Sequence, residues 1–250
     1  MDKIRKLKSG KKRELSFLDI IVVTLIMFGY FIYTSTEALY YSFISTSNDE
    51  QLYKSVEFTS ADDWNNLKTQ LFLLVLAMLY LWIRNFDFSI LKIRFKWYVL
   101  PLSIAIFGLV GLASDLSFTL LGTYNYFSLD VLSHIDWSFV ELIRKVSGLY
   151  FSLIVYGLFN GFYEEFYFLG LLTSVKKSFR IPMFLFSLIV RFSFHTYQGL
   201  ISALIIGFVI GILYYVLYRF KVKNLLPFFL AHAYADFFGT SLIYLIVVWS

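Results

Sequence analysis

Seven long apolar stretches dominate the chain, at 17–34, 67–83, 97–121, 147–172, 181–197, 199–218 and 224–249. Each is about as long as a helix must be to cross a ~30 Å hydrocarbon layer, roughly 17 to 25 residues. A soluble single-core domain has no use for this much apolar surface: 59% of the 250 residues are hydrophobic and only 16% are charged. The alternating strands of about ten residues that would mark a membrane barrel do not occur. The expected fold is therefore all-α, a polytopic transmembrane helix bundle of seven to eight spans. The eighth arises if the last stretch breaks near "FFGTS". The first stretch follows the basic "MDKIRKLKSGKKREL", which resembles a signal peptide's leading region. Its apolar run is long and no A-x-A-like cleavage site follows, so an uncleaved first span is expected.

Charge orders these spans. Segments 1–16, 84–96, 176–180 and 219–223 hold 17 of the 22 Lys and Arg residues. They alternate with 35–66 and 122–146, which carry Lys54, Arg144 and Lys145. Segment 35–66 is acidic, with Glu37, Asp49, Glu50, Glu57, Asp62 and Asp63. This alternation is what the positive-inside rule produces, and it predicts a multi-pass cell-membrane protein with a cytoplasmic N-terminus. The formal net charge of +5 is too dispersed for nucleic acid and suits contact with a lipid bilayer. Without cysteine, disulfides and thiolate metal ligands are excluded.

Six ionisable side chains interrupt the last hundred residues: Glu164, Glu165, Arg191, His195, His232 and Asp236. Within membrane spans such groups are functional candidates. Counted inward from Lys176, Arg180 and Lys223, they lie roughly 13 to 23 Å from the basic ends of their helices at about 1.5 Å per residue. Three helices thus bring polar groups to one layer. Arg191 and His195 share a helix face at i, i+4, as do His232 and Asp236. Glu164 and Glu165 are about 100° apart on a helix, so one can be the chemical group and the other a structural partner. A carboxylate and an imidazole around one water make a hydrolytic site, since a carboxylate in apolar surroundings is a useful general base. A second His and an Asp would hold the substrate carbonyl or a developing oxyanion. Alternatively, Glu164, His195 and His232 would bind zinc, although no H-E-x-x-H is present.

These residues resemble the CPBP family, the CAAX protease and bacteriocin-processing enzymes also called Abi, which are intramembrane endopeptidases of about eight helices. The family's motifs are Glu-Glu-x-x-x-Arg, Phe-x-x-x-His and His-x-x-x-Asn or Asp. They correspond to "EEFYFLG", "RFSFHTYQG" and "HAYAD". The first 140 residues are similar only in being membrane spans. The resemblance implies a division into 1–146, a basic segment and three spans, and 147–250, the catalytic core helices. It makes Glu164 and His195 the water-activating pair, Glu165 their support, and His232 and Asp236 the oxyanion side, with no cofactor. The implied substrate is a membrane-associated peptide or protein near the cytoplasmic half, in peptide maturation or bacteriocin self-immunity. Two positions depart from the pattern: Leu169 stands where the family has Arg, and Arg191 where it has Phe. Arg191 lies at the same counted depth as Glu165 and is expected to supply the missing cation from the neighbouring helix.

Plainer readings stand beside these. The acid pair can form a structural ion pair, and His195 can donate to a backbone carbonyl. With its altered motifs the chain can be a non-catalytic scaffold or immunity protein of the same fold. A coupled transporter is disfavoured, because no inverted repeat is evident. His134 and Asp136 are expected in a solvated loop, and Asp19 and Asp115 at the membrane interface. Asn160-Gly161 marks either a kink opening a water path or close helix packing.

Overall fold

A computed structural model of the protein describes residues 10–45, 58–135 and 139–246. The first nine residues, Asp49, Glu50, Lys54, Glu57, Asp136 and 247–249 lie outside the described residues. The architecture is an all-α membrane bundle, with no strand among the described residues.

Helix α1 is Phe17–Ser45, α2 Ser60–Ile83 and α3 Val99–Leu120. Two short helices follow, α4 (Leu129–Ser133) and α5 (Phe139–Ser147), in a segment expected to be loop. Ser128 caps the first, and Arg144 and Lys145 lie in the last turn of the second, where cations suit the helix dipole. Helix α6 (Phe151–Glu165) continues into a π-helical turn, Phe166–Leu171. Helix α7 is Arg180–His195, and α8 is the continuous run Leu200–Lys221. Helix α9 (Leu226–Phe238) has proline in its first turn, where a missing N–H costs nothing. The expected break near "FFGTS" falls at Gly239, whose φ of 81° favours glycine, before α10 (Leu242–Ile246).

Helix α2 starts earlier than its apolar run. Thr59 and Asp62 form a capping box: the Asp62 amide donates to Thr59 Oγ1 at 3.3 Å and the Thr59 amide donates to Asp62 Oδ2 at 2.9 Å. Asp62 and Asp63 are therefore helical, not loop residues.

Among the described residues four helices are long and apolar enough to cross a membrane: Phe17–Ile44, Ser60–Ile83, Val99–Leu120 and Leu200–Lys221. Seven or eight were expected. Of the helices that carry the ionisable layer, two fall short in length. Helices α7 and α9 have 16 and 13 residues. At about 1.5 Å per residue they span less than a ~30 Å core.

The four basic segments meet at one end of the bundle. The Lys12 amide donates to Asn85 O at 2.8 Å, and the Leu15 amide to Ser174 O at 2.7 Å. The Leu225 amide donates to Lys92 O at 2.8 Å, and the Arg94 amide to Asn224 Oδ1 at 2.9 Å. Between this end and the ionisable layer the interior is one hydrophobic core, drawn from both sides of residue 146. Phe28 of α1 sits at its centre, within 4.7 to 5.6 Å of the rings of Tyr163, Tyr167, Phe168 and Phe194.

Candidate active site

Close approach of α6 and α9 builds the site. A Cβ added at Gly161 would collide with Phe229 O and stand 3.0 Å from Ala233 N. One added at Gly157 would stand 2.6 Å from the Phe237 ring. Two glycines four apart thus let the backbones touch, so Asn160-Gly161 marks close packing. The acids of α6 are thereby set against His232 and Asp236 of α9. Helix α8 uses the same device on α7: a Cβ at Gly207 would meet Phe192 backbone atoms at 2.8 Å.

The two adjacent glutamates have different surroundings. Glu165 is fully buried and does not line the cavity described below. Arg191 Nη2 donates to both its oxygens, at 2.9 and 3.0 Å, and His232 Nδ1 lies 2.8 Å from Oε1. A carboxylate only accepts, so Nδ1 is the protonated nitrogen of that contact. The Arg191 guanidinium also lies 4.1 Å from the centre of the Phe168 ring, a cation–π contact. Leu169 is packed in the hydrophobic core.

Glu164 lines the cavity. Its Oε1 is 3.7 Å from His232 Nε2 and its Oε2 3.7 Å from Arg191 Nη1, both beyond a direct hydrogen bond. His232 Nε2 also lies 3.8 Å from Asp236 Oδ1 and 3.5 Å from Asn160 Nδ2. Asn160 Nδ2 donates to Asp236 Oδ2 at 3.0 Å, and Gln70 Nε2 donates to Asn160 Oδ1 at 2.6 Å. His195 is buried and lines the same cavity. Its Nδ1 lies 2.7 Å from Arg191 O. A carbonyl accepts, so this nitrogen carries the proton and Nε2 keeps a lone pair when the ring is neutral. Among the described residues no hydrogen bond joins His195 to the two glutamates, His232 or Asp236.

The ligand atoms of Glu164, Glu165 and His232 lie within 4.8 Å of one another, close enough to share a metal ion. His195, the expected third zinc ligand, is not in that group. The fit to a dication is poor. Glu165 already accepts from Arg191 and His232, and the guanidinium beside both acids would oppose a second cation.

A cavity of about 1010 Å³ extends from these residues away from the basic end. It passes Tyr156 and Tyr197 and reaches Phe58, Tyr124 and Tyr244, each more than a third exposed. The mouth is thus at the end opposite the Lys- and Arg-rich segments.

Three polar residues that line the cavity are not among the candidates the sequence offers. The sequence marks Asn160 only as a packing or kink position, places Asp63 in an acidic loop and does not single out Gln70. Asp63 and Gln70 are buried at 2% and 4% exposure and lie seven residues apart on the inward stripe of α2. Polar residues at helical spacing ahead of the buried Leu74, Ala77 and Leu81 were the available signal. Asp19 and Asp115 are buried within the protein. Arg84 Nε donates to Asp19 Oδ1 at 2.6 Å, and Asp115 Oδ2 accepts from the Leu242 and Ile243 amides. His134 is exposed, with Nδ1 2.8 Å from Asp130 O.

The fold and this layer together define a multi-pass membrane protein with an acid–imidazole site inside the bundle. Residues 146–238 match the family model described as type II CAAX prenyl endopeptidase Rce1-like. The match spans all six ionisable residues of the layer and is to the same kind of CAAX protease that the motifs resemble. No curated protein and no solved structure matches the chain.

Proposed function

We propose that the protein is an intramembrane endopeptidase that hydrolyses a peptide bond with a water activated by Glu164. The carrying observation is the division of labour between the adjacent acids. Glu165 is saturated by Arg191 and His232, whereas Glu164 faces a large cavity shared with two imidazoles. The family match over the same residues supports it.

Glu164 takes a proton from water as its oxygen adds to the scissile carbonyl carbon, and gives that proton to the amine nitrogen as the C–N bond breaks, while the His195 Nε2 lone pair helps to orient the water. Glu165 is a positioning residue, holding Arg191 against the acid pair and fixing the His232 ring through Nδ1. Carrying both ring protons, His232 donates from Nε2 to the developing oxyanion. An ionised Asp236 accepts only, so it orients rather than stabilises the oxyanion. Asn160 Nδ2, 3.0 Å from Asp236 and 3.5 Å from His232, is the neighbouring neutral donor. Arg191 supplies the cation of the site, and hydrolysis proceeds without a metal. By the positive-inside rule the basic end faces the cytoplasm. The cavity mouth then lies on the other side of the cell membrane, and a membrane-associated peptide enters there.

The test is made in cells producing the native protein or Glu164→Ala, His195→Ala or His232→Ala at matched abundance. Mass spectrometry of membrane and secreted peptides is expected to show a processed species that all three variants lose. Identical peptide profiles in native and variant cells would overturn the proposal.

A further inference from the structure

A second acidic group lies in the cavity, well away from the water-activating residues. Asp63 Oδ2 accepts from Ser152 Oγ at 2.8 Å, while Oδ1 is buried without a hydrogen-bond partner. About two turns further along α2, Gln70 Oε1 is likewise buried and unpartnered. Both residues line the cavity, and both oxygens can only accept. Leaving such atoms unpaired is costly, and a ligand that donates to them recovers the loss. The wider charge balance points the same way. The cavity is lined by Asp63, Glu164 and Asp236 but by one Lys or Arg, Arg191, which is bound to Glu165.

We infer that Asp63 forms a specificity subsite for a basic side chain of the peptide substrate. The inference rests on the peptidase reading and names the substrate class of that site. Its position sets a register. Helices α2 and α6 run parallel, with Asp63 beside Ser152 and Gln70 beside Asn160. Ser152 precedes Glu164 by twelve residues of helix, about 18 Å at 1.5 Å per residue. An extended peptide covers ~3.3 Å per residue, so the basic residue lies about five residues from the cleaved bond.

The experiment has a binding arm and a cleavage arm. The full chain carrying Glu164→Gln is titrated in detergent with short fluorescein-labelled peptides of one apolar sequence that differ at a single position: Lys, norleucine or Glu. The Lys peptide is expected to bind about tenfold or more tighter than the norleucine peptide, as a charge-assisted hydrogen bond allows. Adding Asp63→Asn, which keeps the shape and the Ser152 contact, should remove that preference without weakening the norleucine peptide. Adding Asp63→Lys should make the Glu peptide the better ligand. Equal affinity for all three peptides, no binding by any, or an equal loss for all with Asp63→Asn would overturn the subsite. In the cleavage arm, the native protein should cut the Lys peptide about five residues from Lys, in keeping with the register set by the helix rise. A Lys preference in binding with no cut by the native protein leaves the subsite standing and removes the peptidase reading. Cleavage without a Lys preference does the reverse.

Discussion

The two halves of the bundle are built from the same helices yet differ in kind. Toward the basic end the interior is closely packed: Met27, Leu81, Tyr167, Leu171 and Phe228 are at most 1% exposed and interlocked. Toward the other end the same helices α1, α2, α6, α7 and α9 turn Ser35, Asp63, Gln70, Asn160, His195 and Asp236 inward around the cavity. The boundary runs between Glu164, which lines the cavity, and Glu165, which does not. Chemistry at such a boundary gains on both sides. On the proposed reading the cavity admits substrate and water, and the packed half fixes Glu165 and its partners against a rigid floor.

Breaking the floor should produce the largest loss of stability. Arg191→Leu leaves Glu165 buried without its cation, which costs about 3–5 kcal/mol. The expected outcome is a much lower melting temperature in detergent and poor accumulation in cells. Adding Leu169→Arg places a cation four residues from Glu165, the family's arrangement, and should restore part of both. A double variant no better than Arg191→Leu would count against the exchange of cations between helices.

Prising α6 from α9 should have a smaller effect. Gly161→Ala puts a methyl group against Phe229 O and Ala233 N, backbone atoms that cannot turn aside. Overpacking of this kind costs about 1–3 kcal/mol. It should also separate Glu164 from His232, so turnover is expected to fall more than the melting temperature alone explains. Unchanged activity would show that the contact at Gly161 does not set the site.

On the cavity side, removing metal should have the smallest effect. With Arg191 serving as the cation, dialysis against a strong chelator is expected to leave peptide hydrolysis at its native rate. A loss restored specifically by added zinc would replace Arg191 with a metal in the mechanism.

Much of this contrast was legible from residue order. Counting inward from basic residues placed Glu164, Glu165, Arg191, His195, His232 and Asp236 at one depth, and side-chain contacts join all but His195, whose ring bonds the Arg191 carbonyl. Segment charge grouped the four basic loops, which meet at one end. Other features were hidden for physical reasons. Asp63 was counted with an acidic loop because its apolar run starts later, although Thr59 and Asp62 begin the helix ahead of it. The direction of the cavity depends on which stripe of each helix faces inward, and mixed Phe, Tyr and Leu sequences leave that open. The π-helical turn after Glu165 has no sequence signature, and the shortness of α7 and α9 was masked by apolar residues continuing past their ends.

The most direct measurement compares two neighbouring substitutions in the purified protein, Glu164→Gln and Glu165→Gln, for peptide turnover and melting temperature together. Glu164→Gln should lower turnover about a hundredfold or more, as loss of a general base does, while the melting temperature stays near native. Glu165→Gln should lower the melting temperature clearly, because Arg191 is left buried without its counter-charge. Equal effects of the two substitutions on both quantities, or native turnover in Glu164→Gln, would contradict the assignment of chemistry to one acid and support to the other.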